Sequence, residues 1–168
     1  MRRIILITAF AAALYAQNLF AQESTSRPLQ KVITSYLDIK NALTRDNADS
    51  VKVYAQILYV ELQAVPSEKL SSDQNKIWMD QYQSLIENTA NIKNVSDIKT
   101  QRKQFGELSL KYYKLLKEMD INSIDLYYQY CPMADAFWIS ENSKISNPYY
   151  GKKMISCGST KEILKANK

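Results

Sequence analysis

A mainly α fold is predicted: an up-and-down four-helix bundle with a small C-terminal β-hairpin and short-helix module. Three observations predict it. Glycine and proline are scarce, with three and four in 168 residues. Four successive segments carry apolar residues at helical spacing. Each segment is followed by turn or cap chemistry, so short loops would join antiparallel neighbours.

The first segment runs from about Pro28 to Arg45, with Leu29, Val32, Ile33, Tyr36, Leu37 and Leu43 in phase. Asn47, Asp49 and Ser50 then supply turn and N-cap side chains. The second carries Val51, Tyr54, Ile57, Leu58, Leu62 and Val65, and Pro66 stops it. Ser71, Ser72 and Asp73 open the third, whose face is Trp78, Tyr82, Leu85, Ile86 and Ile92. The fourth begins near Ser96, read as its cap. Its stripe of Ile98, Phe105, Leu108, Tyr112, Leu115, Leu116 and Met119 is interrupted by Gly106.

After Met119 the period changes. Ile124 to Cys131 alternates and is rich in tyrosine, which predicts a strand. Asn147-Pro148-Tyr149-Tyr150-Gly151 predicts a turn, and Lys153 to Cys157 a second short strand. Ser159-Thr160-Lys161-Glu162 matches a capping box and predicts a short terminal helix. The module therefore spans about 124–168.

The amino terminus reads as an export leader. Met1-Arg2-Arg3 precedes an apolar run from Ile4 to Ala16, too short to span a bilayer. Cleavage after Ala21 would leave residues 22–168 as one domain and lower the net charge from +5 to +3. The lysines are scattered among acids, so no nucleic-acid partner is expected. No second apolar stretch could span a membrane, so no insertion is expected after cleavage. The expected location is the periplasm.

The chain has no histidine, which removes Ser-His and Cys-His nucleophile pairs and His-liganded zinc. Ser96-Asp97-Ile98-Lys99 matches Ser-x-x-Lys but lacks its companion motifs, and no enzyme is expected. The concentrated chemistry is Cys131-Pro132-Met133 and Met154-Ile155-Ser156-Cys157. Thiolate and thioether sulfur select soft ions such as Cu(I) or Ag(I). Cys131 and Met133 would share a face on extended chain, whereas Met154 and Cys157 would not unless the chain bends near Gly158. Cys157 just before a helix N-terminus would favour the thiolate. The alternative is a disulfide between Cys131 and Cys157, closing 27 residues and contributing roughly 3–4 kcal/mol. Met133 and Met154 would then fill gaps in the core. Tyr127, Tyr128, Tyr130, Tyr149 and Tyr150 cluster around the same segment, as packing or as a sugar- or peptide-binding face.

Several motifs carry a family resemblance. They are Tyr128-Gln129-Tyr130-Cys131-Pro132-Met133-Ala134, Trp138-Ile139-Ser140, Ile145-Ser146-Asn147-Pro148-Tyr149-Tyr150-Gly151, and Met154 with Cys157-Gly158. With Gln101-Arg102-Lys103-Gln104-Phe105-Gly106-Glu107-Leu108-Ser109, they resemble the domain of unknown function 3347 family over about residues 97–158. Such domains occur appended to heavy-metal efflux adaptors. The resemblance thus implies copper or silver handling, with Cys131, Met133, Met154 and Cys157 as ligands and an envelope efflux or metal-handling protein as partner. The gap from Met133 to Trp138 is shorter than that family's pattern. Its frequent histidines around the fourth helix are missing here. A metal-free, disulfide-stabilised envelope interaction domain remains the second expectation.

Overall fold

The structure, a computed structural model, describes residues 26–167. The leader assigned to residues 1–21 lies outside them. Four helices come first: α1 over residues 26–44, α2 Ala48–Gln63, α3 Ser72–Lys93 and α4 Ile98–Met119. Three strands follow, β1 Leu126–Cys131, β2 Ala136–Ser140 and β3 Ser159–Leu164. They form one antiparallel sheet with β1 in the middle.

Side chains start each of the later helices. Asn47 accepts from the Ser50 N–H and caps α2. Ser71 and Gln74 form a reciprocal capping box on α3. Asp97 caps α4 through Thr100. The cap falls one residue beyond the expected Ser96, whose hydroxyl accepts from Lys52 at 3.2 Å instead. A carboxylate is the better acceptor there, because it also answers the positive end of the helix dipole. α4 ends where Asp120 turns left-handed at φ 49°.

The predicted stripes of α3 and α4 supply much of the core, from Trp78, Leu85 and Ile92 to Phe105, Leu108 and Leu115. α2 departs from expectation at Ile57, which is exposed. α1 departs further. Residues on nearly all of its sides are buried, including Ser35, Lys40 and Thr44. The strand module covers the flank that a plain bundle would leave wet. The Tyr36 hydroxyl accepts from the Ile139 N–H, and Lys40 meets Glu141 at 2.6 Å.

The small module differs from the predicted one in four ways. The first strand begins at Leu126 rather than Ile124. Its hairpin partner is Ala136–Ser140, reached through a turn at Pro132–Asp135 with Asp135 at φ 46°. Lys153–Cys157 is not a strand: a 3-10 turn at Gly151–Lys153 leads into an irregular bend. The expected terminal helix is instead strand β3. A segment of fewer than ten residues cannot offset helix nucleation in water. Ladder bonds to the already buried β1 decide its conformation, with a bulge between Tyr128 and Gln129.

Gly106 lies in α4 facing Tyr149, and an added Cβ would stand 3.8 Å from that ring, an ordinary contact. Gly106→Ala is therefore expected to stabilise the chain by about 0.5–1 kcal/mol, read as a raised urea midpoint with unchanged slope.

Candidate functional site

Residues 141–158 form a long connection without strand between β2 and β3. Loops of this length are uncommon unless functional, and this one is pinned at three places. The first is Asn147, which is fully buried. Its side-chain amide donates to the Cys157 carbonyl at 2.7 Å, and its side-chain oxygen accepts from the N–H groups of Tyr149 and Tyr150. Its backbone N–H reaches Ile155 at 2.8 Å.

The second pin joins the loop to the bundle. Arg102 on α4 donates to the carbonyls of Pro148 and Leu43 and to the Asp46 carboxylate. Asp46 accepts in turn from the Lys152 N–H at 3.1 Å. The Arg102 guanidinium holds the Asp46 carboxyl below the usual carboxylate range. Gly151 closes against this pair at φ 55°, where a Cβ would lie 2.0 Å from Asp46 Oδ1. Only glycine fits that place. The third pin is the Tyr149 hydroxyl, which donates to the Phe137 carbonyl.

Together these pins set Cys157 against the end of β1. Cys131 is the last residue of β1, wholly buried, and Cys157 is half-buried in the bend before β3. Their Sγ atoms stand 3.6 Å apart, and both are free thiols. Gly158, at φ 142°, lets the chain pass under Trp138; a Cβ would approach Trp138 Cη2 and the Tyr130 carbonyl to 2.8 Å. Contact with the Cys131 sulfur raises the Cys157 thiol pKa first, and desolvation adds to it. The expected helix N-terminus beside Cys157 is absent, because β3 stands there. That source of thiolate stabilisation is lost.

The methionines are placed differently from the cysteines. Met133 sits in the β1–β2 turn, 60% exposed, with its carbonyl accepting from the Tyr150 hydroxyl at 3.2 Å. The expectation that Cys131 and Met133 share a strand face fails because β1 ends at Cys131. Met154 is half-buried at the head of the bend, and its carbonyl accepts the Cys157 N–H at 3.1 Å. The chain thus turns between Met154 and Cys157, so strand parity does not govern that pair. Among the described residues, no group of three or more His, Cys, Asp or Glu is placed to hold a metal ion.

Part of the tyrosine cluster resolves into packing. Tyr113, Tyr128 and Phe137 stack at centroid spacings of 3.8 and 4.7 Å, and Tyr130 tilts onto Phe137 at 4.4 Å. Both faces of Tyr128 and Phe137 are covered, which leaves no open ring platform for a sugar on either. Beside this stack, a groove of about 650 Å³ separates α4 from the β1–β2 turn, with Met133 and Tyr150 on one wall and Lys99 and Lys103 on the other.

Sequence reasoning missed Arg102 with Asp46, and Lys40 with Glu141, as partners. Asn47, Asp49 and Ser50 were legible as turn and cap residues. No pattern links residues 56 or 101 positions apart.

No helix among the described residues is long and apolar enough to cross a membrane. No curated protein and no solved structure matches the chain. One family model, described as protein of unknown function (DUF3347), matches residues 32–123, more than half of the chain. The match covers α1 from residue 32 onward and all of α2 to α4, and it ends before β1, so both cysteines lie beyond it. It overlaps the motif-based resemblance only over the fourth helix and the residues just after it. The chain belongs to this DUF3347 family.

Proposed function

We propose that this is an exported protein that carries a soft monovalent ion, Cu(I) or Ag(I), between Cys131 and Cys157, for sequestration or hand-over to an efflux system. The observation that supports it is the 3.6 Å separation of the two sulfurs. Two metal–sulfur bonds of about 2.3 Å at a tetrahedral angle put their sulfurs about 3.8 Å apart. Little rearrangement is therefore needed to close on an ion. Sulfur-only ligation suits a soft monovalent ion better than a hard cation. Met154, at the head of the same bend, and Met133, on the adjoining turn, are the candidate thioether ligands.

Binding must displace the thiol protons. The raised Cys157 pKa makes that displacement harder at low pH, so affinity should rise with pH. The test is an anaerobic Cu(I) titration of reduced protein against a competing chelator, with a thiol count. The expected result is one ion per chain, lost in Cys131→Ser. Reduced protein that competes no better than buffer ends this reading.

A second reading has its own support. The same two thiols need approach by only about 1.5 Å to reach the disulfide length of about 2.05 Å, and the burial of Cys131 favours a neutral disulfide over a thiolate. The protein would then be a disulfide-stabilised interaction domain of the envelope. A mass two hydrogens lower in freshly isolated protein, resistant to mild reductant, favours it.

A further inference from the structure

Helix α2 carries two apolar stripes. Val51, Ala55, Leu58 and Leu62 are buried in the core. Val53, Ile57 and Val60, with the C-cap residue Ala64, repeat the same 4-3-4 spacing two residues out of phase, about 200° around the helix. Val53, Ile57 and Val60 are 59%, 42% and 52% exposed. This outermost line of a bundle helix is where polar residues belong.

The neighbours of the stripe are drawn aside. On the α3 flank, Lys93 donates to Gln56 at 3.3 Å and lies over the Tyr59 ring at 4.5 Å. On the α1 flank, Lys31 meets Glu61 at 3.8 Å. The aliphatic line between them stays clear.

A 4-3-4 repeat is the seam of a two-helix coiled coil, with Ile57 and Ala64 at a and Val53 and Val60 at d. The adjoining g positions are then Gln56 and Gln63, and the e positions Tyr54 and Glu61. In a parallel pair, each g residue faces the e residue five places on in its partner. Gln56, with Lys93 held on it, would face Glu61 of the second copy. A cation meets an anion twice across the two-fold axis. An antiparallel pair would instead set each Lys93 flank against its own copy.

We infer that α2 is a self-association surface, on which a second copy of this chain packs its own α2 in parallel through Val53, Ile57 and Val60. The seam is barely two heptads long, so the dimer is weak and concentration-dependent. A symmetric closed pair exhausts the surface and does not propagate.

Sedimentation equilibrium of the full chain from micromolar to millimolar concentration tests this. The mass is expected to climb toward twice that of the monomer. Ile57→Glu should weaken association at least about tenfold while leaving helicity and Tm in place, because Ile57 is outside the core. Glu61→Lys should weaken it, and adding Lys93→Glu should restore it. A chain that stays monomeric at millimolar concentration overturns the inference, as does a dimer indifferent to Ile57→Glu. A dimer broken by Ile57→Glu but unresponsive to the charge swap overturns the parallel register. Binding of the monomer to phosphatidylglycerol vesicles through this face, with no dimer in solution, overturns it in favour of lipid.

Discussion

Asn147→Ala is expected to lower stability by about 3 kcal/mol and to slow oxidation of the two thiols. Asn147 is fully buried, and its side chain serves three backbone groups: the Cys157 carbonyl and the N–H groups of Tyr149 and Tyr150. Truncation leaves all three without that partner in a region water does not reach easily. Each loss is worth about 1 kcal/mol. In a domain of this size the loss amounts to a Tm lower by roughly 6–12 °C. The second effect separates this residue from an ordinary core contact. Asn147 holds the bend that carries Cys157, so its loss should widen the distribution of sulfur separations. Thiol oxidation at fixed oxidant, followed under conditions where the variant remains folded, should be several-fold slower. A variant that unfolds earlier yet oxidises at the parental rate would show that Asn147 supports the loop without positioning the thiol.

Glu141→Ala should be comparably damaging. Lys40 is only 1% exposed, and Glu141 supplies its counter-charge at 2.6 Å, with Asn41 donating to the other carboxylate oxygen. Removing the acid strands a buried ammonium, at about 3 kcal/mol. Replacing both charges, as in Lys40→Met with Glu141→Gln, should recover most of the loss, because a buried pair contributes little over its apolar substitute. Chemical denaturation of the four proteins in the cycle gives the coupling directly.

The same pair has a pH signature. Burial pushes the Glu141 carboxyl upward, but hydrogen bonds from Lys40 and Asn41 more than offset it, leaving the pKa below the usual range. A carboxyl whose folded pKa is depressed stabilises the fold above its unfolded pKa of about 4.3, and loses that contribution as pH falls through the folded value. The parental chain should therefore lose stability more steeply below about pH 4.3 than Glu141→Ala. Lys40 makes the opposite contribution at neutral pH, although its stability term also rises with pH. Burial lowers its pKa, with the Glu141 hydrogen bond and charge resisting. Holding it charged is thus a cost at neutral pH that fades as alkali removes the proton.

Much of the bundle was legible because its signals are local. Capping side chains, the stripe of α4 and the stop before Pro66 each involve residues within a turn or two. The approach of Cys131 to Cys157 was legible too, since Asn147-Pro148-Tyr149-Tyr150-Gly151 announces a reversal. What misled was local as well. Ser159-Thr160-Lys161-Glu162 has the chemistry of a helix start, yet β1 offers it a ladder that no local pattern reveals. Ile57 fits one helical face as well as the other, because α2 is apolar on both. Lys40 carries no local sign of its burial, because Glu141 meets it from a distant loop. Met133 was assigned strand geometry on a segment that turns immediately after Cys131.

The enclosure of α1 has a consequence for how the chain matures. Its partners across the module, Ile121 for Gln30, Ile139 for Tyr36 and Glu141 for Lys40, stand 91, 103 and 101 positions downstream. Closing such long segments slows folding relative to a bundle of neighbouring helices. During synthesis, the first helix emerges about a hundred residues before its cover. Until β2 arrives, one side of it is bare hydrocarbon with an unneutralised lysine. That interval is when a holding chaperone would find it, and a chain cut short before β2 would present the same surface permanently.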